Sequence, residues 1–344
     1  MSKVKFIYLN QREVIECGGL DMVKTIEDVE LVFKLHNEGK TILPAKVALR
    51  WGDIHSEETR GRINAMPGYV GDKIDIAGIK WIASAPQNPF KYGLPRASAI
   101  IILNDPYKGI PVCIMDGTVI SAMRTGAVTG VAVKYLARKD SEVVGLIGAG
   151  TQNKTQLMAL KTVLKELKEI KVYDLIQERS EKFAEEAYEE MQIDVVAVNS
   201  AEEAVRGSDV VVTATTSSTP LVKSKWVEKG MLIVNVGGYE SEFDVLKKAD
   251  KIVVDDWYQV KHRATQTTAI MFNEGELKDD DIYANLGAIV SGDKPGRERD
   301  EELIFFNPVG MAAEDIIVAH RIFQTAKKEG KGVALELWNI PQWV

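Results

Sequence analysis

"GLIGAGTQNKTQ", residues 145–156, is the stretch on which the fold turns. It follows an apolar run and opens a helical pattern near Thr151, and strand–glycine turn–helix is the setting in which such a loop carries meaning. Gly148 permits the tight turn, and Gly150 lets backbone N–H groups approach a pyrophosphate at the positive end of the helix. Asn153 stands where the third glycine of the usual fingerprint would be. It implies looser helix–strand packing and a side chain able to reach a cofactor. Lys154 and Thr155 are further candidates for phosphate contact, although an exposed lysine is more often simply solvated.

Working outward, short Val/Ile-rich runs recur with helical stretches between them: "EVVGLI", "EIKVYD", "IDVVAV", "SDVVVTATT", "GMLIVNVGG" and "DKIVVDD". Continuous apolar runs of this kind are strands buried on both faces, as in a parallel sheet covered by helices. They predict a doubly wound, Rossmann-like α/β domain. Asp174 closes the second run near the spacing at which a carboxylate bridges the ribose hydroxyls of NAD and repels the extra phosphate of NADP. Its alternative role is to cap the next helix.

The preceding third of the chain has a different rhythm. Residues 10–38 read as one or two helices, with Asn10 and Glu13 spaced as a capping box. Then come "KVALRW", "RINAMPGYV", "IDIAGIKWIASA" and "ASAIIILNDPYKGIPVCIMD", the last a hairpin turning at 105–109. "VISAMRTGAVTGVAVKYLA" is a helix rich in small residues, where Gly126 and Gly130 allow close backbone approach. From Gly310 an amphipathic helix is expected to return to the first domain. With no repeat or low-complexity linker, pattern sets the boundaries. Residues 1–118 with 312–344 form an α+β domain completed by the C-terminal helix, and 119–311 form the dinucleotide-binding domain.

Composition narrows the function. The chain has 344 residues, 45% hydrophobic and 27% charged, ordinary for a globular protein. A formal charge of −7 argues against a broad nucleic-acid surface, which wants a basic excess. The two cysteines, Cys17 and Cys113, form no metal pattern, so no structural metal is expected. No signal peptide or 18-residue apolar run is evident, and a cytoplasmic protein without membrane contact is the expectation.

Several cations accompany the first domain's strands: Lys46, Arg50, Arg62, Lys80 and Arg96, with Arg124 at the domain junction. Lys80 interrupts an apolar strand, so desolvation should lower its pKa and suit it to proton transfer; a structural ion pair is the alternative. Arg124 lies in an apolar helix, and its planar guanidinium can fork onto a carboxylate. The histidines offer less. His36 ends a surface helix, His55 sits in a polar loop and His320 packs on the last helix, leaving His262, after the sixth strand, as the cleft candidate.

Taken together, "RINAMP", "GIKWIAS", "SAMRTGAVT", "GLIGAGTQ", "ADKIVVDDW" and "NPVGMAAEDI" resemble the ornithine cyclodeaminase/mu-crystallin family over essentially the whole chain. The resemblance implies a homodimer that binds NAD and a small amino-acid-like substrate and transfers hydride at a C–N bond, with 1–118 and 312–344 as the substrate-binding and dimerisation domain and 119–311 as the NAD-binding one. It implies catalysis by Lys80, substrate contacts from Arg50, Arg124, Arg96 and Asn64, and cofactor contacts from Gly148, Gly150, Thr151, Gln152, Asp174, Thr215, Val236, Asn307 and Gly310. The sequence departs from the cyclodeaminase where Asn64 replaces a carboxylate and Tyr239 replaces the aspartate after Gly237-Gly238. Glu240, Glu242 and Asp244 follow, but none is in register. Stretches around Arg96 and 292–312 look like the aminocarboxyethyl-glutamate dehydrogenase branch, where an added arginine suits a second carboxylate. An amino-acid or opine-type dehydrogenase is therefore expected. The alternatives are a cyclodeaminase converting ornithine to proline and ammonia, and a non-catalytic ligand-binding protein.

Overall fold

A computed structural model describes residues 3–52, 60–263 and 265–342; His55 lies outside them. The chain divides into two compact units, one of Met1–Arg124 with Met311–Val344 and one of Thr125–Gly310. It passes from one to the other within the helix Thr118–Leu136. The first unit contains strands β1 (Val4–Leu9), β2 (Thr41–Ile42), β3 (Val47–Trp51), β4 (Gly61–Val70), β5 (Ile76–Ser84), β6 (Ala97–Asn104) and β7 (Pro111–Asp116). The second contains β8 (Val143–Ile147), β9 (Glu169–Tyr173), β10 (Val196–Ala197), β11 (Val210–Thr213), β12 (Leu232–Asn235), β13 (Lys251–Val254), β14 (Ala284–Asn285) and β15 (Ile304–Asn307). A last strand, β16 (Val333–Trp338), belongs to the first unit.

In the first unit the strands form one mixed sheet in the order β16-β1-β7-β6-β5-β4-β2, with β3 also on β4. The expected hairpin joins β6 and β7. Asp105 Oδ1 accepts from the N–H groups of Tyr107 and Lys108, and Gly109 takes the positive φ the turn needs. The capping box at Asn10 and Glu13 is present in both directions. The helices Met22–Asn37 and Ala312–Glu329 pack together, and the second lies on β4, β5 and β6. Gly68 and Gly78 face each other in register across β4 and β5. A Cβ at Gly68 would lie 3.1 Å from Ala312 Cβ and from Ile316 Cδ1, so missing side chains let the helix start close to the sheet.

Three strands of this sheet escape a sequence reading: the two-residue β2, β1 and β16. β1 and β16 pair antiparallel at one edge, joining the two ends of the chain. β16 is exposed along most of its length, so it lacks the half-buried alternation that marks a strand from sequence.

The second unit is an all-parallel sheet in the order β10-β9-β8-β11-β12-β15-β13-β14. Strand order reverses between β8 and β11, the switch point where open α/β sheets bind ligands beyond their carboxyl ends. All six expected runs supply strands. β14 and β15 were not expected, although β15 is fully buried between β12 and β13. Its four residues are too short a run to stand out beside the charged stretch before it. Gly126 makes the close approach foreseen for it: a Cβ there would fall 2.6 Å from the Thr155 carbonyl carbon.

Candidate active site

The glycine loop closes β8 and opens the helix Thr151–Val163. Gly148 has φ +99°, and a Cβ on it would meet the Ala214 carbonyl oxygen at 2.9 Å, so only glycine fits. A Cβ at Gly150 would meet nothing within 4 Å, leaving an open cradle there. Gly150 is also the N-cap and makes no side-chain cap bond, so the first-turn amides, from Thr151 and Gln152 onward, suit an anion. These features fit a dinucleotide pyrophosphate.

Asn153 does not reach outward. It is fully buried, and its amide donates to the carbonyls of Ile147 and Gly148, pinning the turn from beneath. The expectation that it contacts the cofactor is replaced by this structural role. Lys154 pairs with Glu186 at 2.5 Å. Asp174 Oδ2 accepts from Ala149 N at 2.9 Å and Oδ1 from Ile176 N, so the carboxylate stands at the glycine loop. The helix Gln177–Met191 that follows has no side-chain cap bond.

The other expected cofactor residues gather at the carboxyl ends of β11, β12 and β15. Val236 N donates to Thr213 O, and Thr215 N donates to Glu240. Asn307 is buried, donates to Asn235 O and accepts from Thr268. Gly310 N donates to the buried carboxylate of Asp255. Asn307 and Gly310 are thus tied into the framework.

In the first unit the central residue is Lys80 on β5, 1% exposed. Its Nζ lies 2.7 Å from Asp315 Oδ2 and donates to Ser121 Oγ at 3.1 Å. Arg124 forks as expected, but onto the last helix: Nη1 to Glu314 Oε2 at 2.6 Å and Nε to Asp315 Oδ1 at 3.1 Å. Both acids are fully buried. Burial, with the nearby Arg124 guanidinium, pushes the Lys80 pKa from 10.5 down to about 8, against the opposing pull of Asp315 and Glu314. Glu314, Asp315 and Ser121 were not singled out from sequence, although all three lie in the quoted stretches "NPVGMAAEDI" and "SAMRTGAVT".

Strand register collects the rest. Met66 is opposite Lys80, Asn64 opposite Ile82 and Ala48, and Arg62 opposite both Ser84 and Arg50. Directly opposed residues share a face, so Arg50, Arg62, Asn64 and Lys80 lie on the sheet face that carries the helix Ala312–Glu329. Arg96 directly precedes β6, and its carbonyl accepts from Ala85 N, just past the end of β5. Burial and then the charges of Arg96 and Arg50 lower the Arg62 pKa, and the register sets Arg62 directly opposite Arg50. Among the described residues no carboxylate pairs with any of the three. Arg62 is therefore an addition to the expected set.

His262 is exposed, with Nδ1 against Tyr258 O at 2.7 Å, and His36 Nδ1 lies 2.7 Å from Thr41 Oγ1. Among the described residues no group of three or more His, Cys, Asp or Glu is placed to hold a metal, and no helix is long and apolar enough to cross a membrane.

Parallel sheet, glycine cradle and acid at the second strand define a nicotinamide-dinucleotide enzyme. Residues 8–330 match the model of the ornithine cyclodeaminase/mu-crystallin family, and the chain belongs to that family. It is 36% identical to an N-((2S)-2-amino-2-carboxyethyl)-L-glutamate dehydrogenase from Staphylococcus aureus, covering 97% of this chain and 99% of that one. An archaeal alanine dehydrogenase dimer with bound NAD superposes with a TM-score of 0.88 at 38% identity, covering 97% of this chain and 100% of that one. A Δ1-pyrroline-2-carboxylate reductase from Thermococcus litoralis, solved with NADH and L-proline, gives 0.87 at 36% identity over 96% and 100%. The chain is an NAD-dependent oxidoreductase of CH–NH bonds.

Proposed function

We propose that the protein oxidises the C–N bond of an amino acid or opine-like secondary amine to the imine, or reduces that imine, with Lys80 as the proton-transfer group. The observation that carries this reading is the buried Lys80, lowered to about 8 and held between Asp315 and Ser121 on the same sheet face as Arg50, Arg62 and Asn64. A lysine titrating there can hold or release a proton near neutral pH. NAD, held by the glycine loop and Asp174, supplies the hydride acceptor or donor. Arg50, with Arg62 and Arg96, binds substrate carboxylates, and Asn64 contacts the substrate beside them. Arg124 acts through the acids it holds, keeping Asp315 against Lys80. Three guanidiniums with no carboxylate partner among the described residues favour a substrate with more than one carboxylate, in keeping with the staphylococcal relative's name.

The cyclodeaminase alternative needs a carboxylate presented near Tyr239, and the geometry offers little support. Glu240 is buried, Glu242 accepts from Ser224 N, and Asp244 lies 3.8 Å from Lys247. We further propose a homodimer, supported by the dimeric archaeal relative and by the face of the first sheet turned away from its helices. Val47, Leu49, Trp81, Ile100, Tyr8 and Leu335 are exposed there, a contiguous apolar surface of the kind that marks an interface.

The test is incubation of pure protein with NAD and L-alanine, L-proline, L-ornithine or an N-carboxyalkyl amino dicarboxylate, following NADH absorbance and ammonia together. Net NADH formation, greatest with the dicarboxylate, is expected. Ammonia without net NADH would establish the cyclodeaminase instead. Silence in both, with NAD still bound, would leave a ligand-binding protein.

A further inference from the structure

Glu240 has no part in the roles assigned so far, yet it is heavily hydrogen-bonded at the second unit's carboxyl edge. It is fully buried. Its Oε1 accepts from Thr215 N at 2.5 Å; its Oε2 accepts from Thr213 Oγ1 at 2.7 Å, Gly237 N at 2.8 Å and Asn235 Nδ2 at 3.3 Å. The donors come from the ends of β11 and β12 and the loops that leave them. Burial raises the Glu240 pKa, and the donors oppose that rise. A buried carboxylate is tolerated only where its lone pairs are satisfied, and here four donors converge on two oxygens. Gly237 makes the room, since a Cβ on it would lie 2.6 Å from Glu240 Oε2.

The placement matters because a dinucleotide straddles the switch point of such a sheet, one nucleotide to each half. Asp174, beyond β9, marks the adenosine half. The nicotinamide half then falls to the ends of β11 and β12, where Thr215 and Val236 lie. Resting on the NAD reading above, we infer that Glu240 is a positioning residue for the nicotinamide half, clamping 213–215 to 235–238 from below. It touches no substrate and transfers no proton. Its work is to fix the backbone on which that half of the cofactor lies.

Glu240→Gln tests the clamp, because every group facing the carboxylate is a donor and a carboxamide must turn its NH2 toward at least one of them. Gly237→Ala attacks the same contact from the other side by displacing the carboxylate. For full-length wild type and both variants, NADH and ADP-ribose are titrated separately, by nicotinamide fluorescence and calorimetry, with thermal melts confirming that each is folded. Expected is a rise of about tenfold or more in NADH Kd in both variants, the size of a lost hydrogen bond to a charged group. ADP-ribose, which carries the adenosine half and the pyrophosphate without nicotinamide, should bind as in wild type. Equal losses for both ligands, or an unchanged NADH Kd, would overturn the inference. A wild type that binds neither would overturn the dinucleotide reading instead.

Discussion

The proton affinity of Lys80 is set by neighbours pulling in opposite directions. Burial and Arg124 lower it; Asp315 and Glu314 raise it. In the amine-oxidising direction turnover should rise with pH to a plateau above about 8, because the neutral amine is the form that accepts a proton. Asp315→Asn removes a contribution that raises the pKa, so the limb should move to lower pH; a limb that stays put would detach it from Lys80. Lys80→Met should lower turnover by about 100-fold or more, with NADH affinity intact, and near-wild-type turnover would sink its role. Stability follows the same shift. Between about 8 and 10.5 the unfolded chain holds more protons on this lysine than the folded one, so its contribution to stability rises with pH across that window. Lys80 could be read from sequence because a charge inside an apolar strand is conspicuous. Its acid partners could not, because the apolar residues around Glu314 and Asp315 make them look like the polar stripe of an ordinary amphipathic helix. Asn153 was misread for a related reason: nothing local shows whether an amide after a glycine loop turns inward or outward.

Among the elements, the helix Thr118–Leu136 shows how a single backbone contact supports the cofactor loop. At Gly126 it comes against the backbone of Thr155, in the helix that the glycine loop opens. Gly126→Ala should push that helix aside, destabilising the protein by about 1–3 kcal/mol as overpacking does and weakening NADH binding in parallel. A melt and an NADH titration matching wild type would show that the contact is slack. This approach was readable from the glycines themselves, as were the hairpin and the six apolar runs of the parallel sheet. The strands that were missed share a different property. β2 and β14 have two residues each and β15 four, and β1 and β16 owe their existence to a partner at the opposite end of the chain. Pairing of that range leaves no periodic trace in either segment.

For the whole molecule, the testable consequence is association. If the apolar sheet face is covered by a second copy, light scattering should report twice the chain mass of 38.1 kDa. Leu49→Lys together with Trp81→Glu should then shift the protein to monomer, because two charges would be buried without partners. A wild type at the single-chain mass would refute the dimer. The two sheet types were readable because alternating strands give way to continuous apolar runs. The three-arginine cluster was less so, since Arg62 becomes distinctive only when β3, β4 and β5 are aligned.

The pairing of Arg124 with Asp315 spans 191 residues of chain, and everything in between belongs to the other unit apart from residues 311–314. The second unit is one continuous segment and can fold as it leaves the ribosome, whereas the first must wait for its closing helix and β16. Until then Lys80 lacks Asp315, and β4, β5 and β6 lack the helix that lies on them. The proton-transfer role proposed for Lys80 is thereby tied to a segment made after the whole second unit, so a nascent protein acquires its nucleotide fold before Lys80 acquires Asp315.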